Sequence, residues 1–393
     1  MAASLAAPGR GGGIHRAACI SAPARRLCAG EVDGLAVAVA RRTTDRSLTR
    51  PILSEETNMD AATPPRRWTI DLPDLSGRRA LVTGASDGVG LEIARDLASA
   101  GAHVLMPVRN RAKGEAVVAR LTADAPAGRF TLYDLDLAST ASARTLAADL
   151  MSAGARIDIV VINAGIVMLG DPVRHLTADG TELHLQTNFL GHAALLAGIL
   201  PLLQASRTRL AVQCSLAVRT GRVQWDDPQL EHGYRAMRAY AASKAALALY
   251  ATELARRSDT GGWGLRTVLC HPGVAMTNIA PPEMQARDTL LTRVSGALLT
   301  RGVFGQCAAD AALPALHAVT AAGLRSGDLV VPSRRGGVMG PPVGQRRWRS
   351  LRDAGEAARA VDLADRLTGV RLAAASAGGM DAAPGAASAA STL

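Results

Sequence analysis

Residues 79–90 read Arg79-Ala80-Leu81-Val82-Thr83-Gly84-Ala85-Ser86-Asp87-Gly88-Val89-Gly90. Arg79–Thr83 is a short apolar run ending in glycine, the pattern of a buried strand. From Gly90 to Ala100, Ile93 and Leu97 fall on one face of a helix. Between the two, three glycines permit a tight turn and let backbone amides approach a pyrophosphate at a helix N-terminus, where the dipole favours negative charge. Glycine clusters arise by chance in a chain with 39 glycines, and an ordinary turn is the plainer alternative. The strand–turn–helix placement favours a dinucleotide-binding loop, with Gly84, Ser86, Asp87, Gly88, Val89 and Gly90 as its contacts.

Further strands are expected at Ala102–Val108, Thr131–Leu135, Ile157–Ile162, Leu210–Ser215, Leu265–Cys270 and Asp328–Val331. Helical patterns separate most of them, notably Thr181–Gln204 and Arg235–Arg257. Strands alternating with helices imply right-handed crossovers and a parallel sheet covered on both faces. The expected fold class is therefore α/β, a Rossmann-type doubly wound sheet of about seven strands in a single domain. Its boundaries are read as 68–330, with a helix-bearing C-terminal appendage at 331–372. Residues 1–67 read as disordered or as an extension, because they are rich in Ala, Gly and Arg without periodicity. Met59 is an alternative start, and six acids in this stretch weaken a transit-peptide reading. Residues 373–393 read as a low-complexity, disordered tail.

Composition excludes several classes. The chain has 393 residues, 48% hydrophobic, 3% aromatic and 20% charged. The longest apolar stretch, His192 to Ala205, is cut by Gly198 and Pro201, so no transmembrane segment is expected. Five scattered cysteines, none in a C-x-x-C pair, argue against a disulfide framework or structural zinc and fit a reducing, cytoplasmic setting. The net charge of +10 resembles a nucleic-acid signal. It belongs mostly to the tails, since residues 68–330 carry 25 basic and 23 acidic side chains. Only two of the 44 basic residues are lysines, Lys113 and Lys244, a skew that fits coding bias better than phosphate binding.

At the end of the second strand, folds that prefer NAD place an acid for the ribose 2′-hydroxyl. Here Met106-Pro107-Val108-Arg109-Asn110 has none, and Arg109 can meet a 2′-phosphate, with Lys113 one turn on. That favours NADP(H), against the plain alternative of a solvated arginine among 42. In Tyr240-Ala241-Ala242-Ser243-Lys244 the phenol and ammonium lie at i,i+4 on one helical face. A neighbouring cation favours phenolate and is expected to lower the tyrosine pKa from about 10 toward working pH. Tyr240 then becomes a general acid for carbonyl reduction or a base for alcohol oxidation.

These motifs, with Asn163-Ala164-Gly165, Asn188, Ser215 and Pro272-Gly273-Val274-Ala275-Met276-Thr277, occur in the order found in short-chain dehydrogenase/reductases. The resemblance covers about residues 75–372. VRNRAKGE after the second strand, LDLAS at 135–139, QTNFLGH at 186–192 and DLADRLTGV at 362–370 are similar to the retinol dehydrogenase and protochlorophyllide reductase-like branch. The resemblance implies a catalytic tetrad. Ser215 would bond the substrate oxygen, Tyr240 would transfer the proton, Lys244 would hold the ribose hydroxyls and tune Tyr240, and Asn188 would position a relay water. It also implies that Asp136, beside Leu137, bonds the adenine, that Asn163, Ala164 and Gly165 pass the adenosine ribose, and that Pro272, Gly273 and Thr277 border the nicotinamide end.

The chain departs from the family pattern at Cys214, where a paired serine is common, at Ile162, where a second asparagine is frequent, and at the acidic Asp87. His184 and His192 lack metal-ligand spacing, and no metal site is expected. His271 reads as a strand-end residue near the cofactor. Trp225 and Tyr234 could either roof the substrate pocket or anchor their loop. The Leu-rich stretch Asn278–Gly305 suggests a mobile lid and a lipophilic substrate. The expected function is an NADP(H)-dependent oxidoreductase interconverting a carbonyl and an alcohol on a small molecule, without a nucleic-acid partner; a homo-oligomer is compatible. The competing reading is a non-catalytic NADP(H)-binding sensor, which would not need the complete tetrad.

Overall fold

The computed structural model describes residues 66–124, 128–168, 170–275 and 305–372. Its strands are β1 (Arg79–Val82), β2 (His103–Val108), β3 (Arg129–Asp134), β4 (Ile159–Ile162), β5 (Arg209–Gln213), β6 (Arg266–Cys270), β7 (Leu329–Arg334) and β8 (Met339–Gln345). They form one sheet in the order β3-β2-β1-β4-β5-β6-β7-β8. The first seven are parallel, and β8 returns antiparallel to β7. The order reverses between β1 and β4, which opens a crevice at the carboxyl ends of the strands.

Period-2 alternation divides the strand side chains between two cores. Leu81, Leu105, Val160, Leu210 and Leu269 face one apolar cluster. It is completed by α3 (Thr140–Ser152), α4 (Leu183–Gly198), α6 (Ala236–Gly261) and α8 (Ala354–Thr368) through Leu146, Phe189, Leu247 and Leu363. Ala80, Val82, Val104, Val161 and Val268 face the other, against α1 (Gly88–Ser99), α2 (Arg111–Asp124) and α7 (Ala308–Thr320). Both faces are apolar, which is why the strands read as continuous hydrophobic runs. Truncating a fully buried core residue such as Leu97 or Leu247 would cost about 2–5 kcal/mol.

The structure departs from the sequence expectation in four places. The sheet has eight strands, one beyond the about seven expected, because Gly340, Pro341, Pro342 and Gly344 disguise β8 as a loop. Proline is tolerated there because β8 is the outermost strand and pairs on one side only. The helix expected over Thr181–Gln204 breaks after Gly198, where Pro201 starts a second helix, α5 (Leu200–Ser206), at a bend of 63°. The boundary at residue 330 falls inside β7, whose pairing with β8 continues the same sheet. Arg66 and Arg67, set outside the domain by the boundary at 67, are held to it. Arg66 pairs with Asp96, and the amides of Arg67 and Trp68 donate to the buried Asp310 carboxylate at 2.9 and 3.2 Å. Among the described residues, no single helix is long and apolar enough to cross a membrane.

Candidate active site

β1 delivers the chain into the glycine turn. A Cβ on Gly90 would stand 2.2 Å from the Gly84 carbonyl oxygen, so only glycine lets α1 start this close to the strand end. Asp87 is the N-cap of α1, its carboxylate accepting from the Gly88 amide at 2.7 Å. The same carboxylate forms an ion pair with Lys113. The acidic residue in the phosphate loop thus faces a cation from α2. Arg109, just past β2, is exposed and forms no ion pair with an acid among the described residues.

Thr83 organises the next layer. Its hydroxyl accepts from the amides of Asn163 and Ala164 at 3.0 and 3.1 Å. It donates to Nε2 of His192 at 3.2 Å, because the other ring nitrogen donates to the Asn188 carbonyl at 3.3 Å. Burial, aided by the Lys244 charge, holds the His192 imidazole down at about 3, so it stays neutral. The Asn163 amide nitrogen donates to the Thr83 carbonyl at 2.9 Å, and its oxygen accepts from Gln213 at the end of β5, also at 2.9 Å. The turn Asn163–Gly165 is thereby fixed to the ends of both β1 and β5.

Ser215 follows β5 and caps a 3₁₀ turn, Leu216–Arg219, its hydroxyl accepting from the Ala217 amide at 3.2 Å. Tyr240 lies in the second turn of α6, facing Ser215. Burial pushes the phenol above its ordinary value, and the hydrogen bond from Ser215 only partly offsets this. The expected lowering by Lys244 is therefore corrected: burial dominates, and Lys244 is not among the influences on the phenol. Lys244 is itself 4% exposed, and burial brings its ammonium down to about 8, against a smaller opposing influence of Cys214 and Cys270. Its Nζ lies 3.5 Å from the Gln213 carbonyl oxygen. A Cβ on Gly165 would come within 2.9 Å of that Nζ and 3.0 Å of Asn188 Oδ1, so glycine is required for the turn to lie over both groups.

Asn188 occupies a π turn, Gln186–Leu190, within α4. Its amide is fully engaged: Oδ1 accepts from the Ile166 amide at 2.7 Å, and Nδ2 donates to the Ile166 carbonyl and Ser243 Oγ, both at 3.0 Å. The side chain clamps the loop after β4. His184 does similar work next door, donating from Nδ1 to the buried Glu182 at 2.8 Å and accepting from the Met168 amide at 3.1 Å. Its ring meets Tyr240 edge-on at 6.4 Å.

One cleft of about 610 Å³ brings most of these groups together. Gly84, Ser86, Asp87, Gly88, Val89, Gly90, Arg109, the Asn163–Gly165 turn, Ser215, Tyr240, Pro272 and Gly273 all line it. Lys244 and Asn188 sit behind the lining, under Gly165. Asp136 and Leu137 stand outside it at the β3–α3 junction, where Asp136 accepts from the Ala138 amide at 2.9 Å. Thr277 and the expected lid Asn278–Gly305 lie outside the described residues, apart from Gly305. Trp225 anchors its loop: Nε1 donates to Glu356 of α8 at 2.9 Å, and Arg359 stacks 4.8 Å over the ring. Cys214 is buried just past the end of β5, its thiol pushed up to about 12 by burial.

Three lining residues escaped sequence reasoning: Val167, Gln213 and Met237. His271 is buried against Trp348, and burial holds its imidazole at about 4. Met237 lies one turn before Tyr240 on α6, a position that helical spacing from the YAASK motif could have indicated. Nothing local marks Val167 or Gln213, whereas His271 stands near the cofactor end, where the sequence placed it.

Residues 78–288 match the family model for short chain dehydrogenase. The chain is 34% identical to human retinol dehydrogenase 12 over 261 residues, 66% of this chain and 77% of that protein. It is 38% identical to mouse polyprenol dehydrogenase over 213 residues, covering 53% of this chain but only 63% of that protein. Among solved structures it resembles the Pseudomonas aeruginosa RhlG/NADP active-site complex, with a TM-score of 0.51 and 30% identity over 65% of this chain and 94% of the other. A glycine turn at a topological switch point and a Ser–Tyr–Lys cluster at the ends of β5 and α6, matched over this length, place the chain in the short-chain dehydrogenase family of oxidoreductases, on its retinol dehydrogenase-like branch.

Proposed function

We propose that the protein is an NADP(H)-dependent oxidoreductase that interconverts a carbonyl and an alcohol on a lipophilic small molecule, with Tyr240 as general acid and base. The observation that carries this reading is the cleft itself. It joins the glycine turn and Arg109, which forms no ion pair among the described residues, at one end to Ser215 and Tyr240 at the other.

The residues present fit a nicotinamide dinucleotide. The turn offers amides at a helix N-terminus, Arg109 supplies a charge for a 2′-phosphate, and the buried Gln213 Oε1 in the cleft lacks a hydrogen-bond partner among the described residues. When bound, such a cofactor supplies or accepts hydride at C4 of its nicotinamide ring. The RhlG complex, which contains NADP, supports the choice of phosphate form by similarity. Asp136 and Thr277 remain proposed contacts to the adenine and nicotinamide ends.

The protein's own groups manage the substrate oxygen and its proton. Ser215 donates to the carbonyl oxygen and holds it against Tyr240. Because burial raises the Tyr240 pKa, the phenol stays protonated through neutral pH and is ready to donate to the oxygen as it gains charge. Lys244, behind Gly165, favours the phenolate left after donation and is placed to bond ribose hydroxyls. Asn188 acts by holding the 166–168 loop and Ser243 in place. Met237 and Val274 expose apolar surface at the cleft mouth, which supports a lipophilic substrate. A cytoplasmic setting is part of the proposal, supported by the buried thiols Cys214 and Cys270, which form no disulfide among the described residues.

The test is oxidation of NADPH, followed by absorbance, against a panel of lipophilic aldehydes and ketones that includes retinaldehyde. The reading expects turnover with at least one of them and none with Tyr240→Phe. Tight NADPH binding without turnover on any of them would favour a non-catalytic binder.

A further inference from the structure

Gln213 closes β5 and lines the cleft, yet it is 7% exposed. Its amide orientation follows from its neighbours. The Thr83 carbonyl can only accept, so the Asn163 group 2.9 Å from it is Nδ2. Asn163 Oδ1 must then be the acceptor facing Gln213, and the Gln213 group 2.9 Å away is Nε2. What remains is Gln213 Oε1, a buried acceptor without a hydrogen-bond partner among the described residues. A buried carbonyl left this way is costly, and such atoms in native proteins mark a place for something that binds.

The position narrows what that could be. Through Asn163, Gln213 touches the glycine turn; through its own backbone carbonyl it lies 3.5 Å from Lys244 Nζ. It therefore stands between the pyrophosphate-binding end of the cleft and the Ser215–Tyr240 end. A pyrophosphate carries acceptors only and cannot satisfy a second acceptor. The adenine amino group and adenosine hydroxyls belong with the Arg109 end, so on the Lys244 side of the pyrophosphate the cofactor's donors are the ribose hydroxyls and carboxamide N–H groups of its nicotinamide half.

We propose that Gln213 is a binding residue for the nicotinamide half of the cofactor, its Oε1 accepting a hydrogen bond from the carboxamide or the adjoining ribose while its Nε2 steadies Asn163. The inference rests on the cofactor reading above. It assigns the β5 end a share in orienting the nicotinamide ring.

Calorimetric titration of wild type and Gln213→Met tests it with three ligands: NADPH, its 3-acetylpyridine analogue, which lacks the carboxamide N–H, and adenosine 2′,5′-bisphosphate, which lacks the whole nicotinamide half. The variant should bind NADPH about tenfold more weakly, the effect of one lost hydrogen bond at a buried site. It should bind adenosine 2′,5′-bisphosphate within twofold of wild type. If the donor is the carboxamide, wild type and variant bind the acetylpyridine analogue alike; if it is a ribose hydroxyl, the analogue shows the same tenfold loss. Unchanged NADPH binding would overturn the proposal, and so would equal losses for all three ligands, which would indicate damage through Asn163. Gln213→Asn, which keeps the amide but withdraws it by one methylene, gives the same readings if the methionine variant folds poorly. Failure of the NADP(H) reading looks different: wild type would not bind adenosine 2′,5′-bisphosphate, and the Gln213 comparison would be made with NADH.

Discussion

The two ends of the cleft are built on different plans. At the ends of β1 and β4, polar groups are consumed by the protein: Thr83 Oγ1 serves three partners, Asn163 is bonded at both ends, and Asp87 caps α1 while facing Lys113. Around the ends of β5 and β6, Met237 of α6 and Val274 are 48% and 39% exposed. The first end is a rigid frame of backbone and glycine, suited to one invariant ligand. The second is an apolar mouth around a few directed polar groups, which is how a fold accommodates a changing substrate without altering its frame.

If the ends are separable, substitutions should hurt one function and spare the other. Tyr240→Phe should lower turnover by about 10³-fold, within the span of lost general acid catalysis, and leave the NADPH Kd within twofold; a large loss of binding would break the division. Because the phenol is held above its ordinary value, reductive turnover should stay flat through neutral pH and fall only in alkaline solution. A fall between pH 6 and 8 would contradict that direction.

Lys244→Met should abolish turnover yet stabilise the free protein. The buried ammonium has its pKa lowered from 10.5 to about 8, so the folded state disfavours its charge. That penalty, about 3 kcal/mol, is full below pH 8 and disappears as pH rises toward the unfolded value. Thermal melts at pH 7 and pH 10 should show a higher Tm for the variant at pH 7 and little difference at pH 10. Arg109→Ala should weaken NADPH about 10- to 100-fold, as expected for lost charge-assisted bonds, and NADH hardly at all. Equal losses would remove Arg109 from the 2′-phosphate. The smallest effect is expected at Glu356→Gln, which loosens the anchor of Trp225. KM for bulky substrates should rise about two- to fivefold with kcat and the NADPH Kd unchanged, the scale of one weakened hydrogen bond.

What the sequence made legible was local. The glycine turn, the strand runs and the Tyr240–Lys244 spacing are periodicities and short motifs, and they stand where expected. Features that depend on distant partners were hidden. Gln213 matters because Asn163, fifty positions away, fixes its amide. The direction of the Tyr240 pKa was misread because spacing places Lys244 four residues on but does not reveal the burial that sets the phenol. β8 was missed because its prolines and glycines suit a loop everywhere except on an outer strand.

Isotope transfer tests the central claim most directly. The protein would be incubated with NADPH carrying deuterium at both C4 positions and an aldehyde that supports turnover, and the alcohol analysed by mass spectrometry. Direct hydride delivery in this cleft predicts one deuterium per product molecule, formed by wild type and not by Tyr240→Phe. Bound NADPH with no labelled alcohol, or labelled alcohol formed equally by the phenylalanine variant, would contradict it.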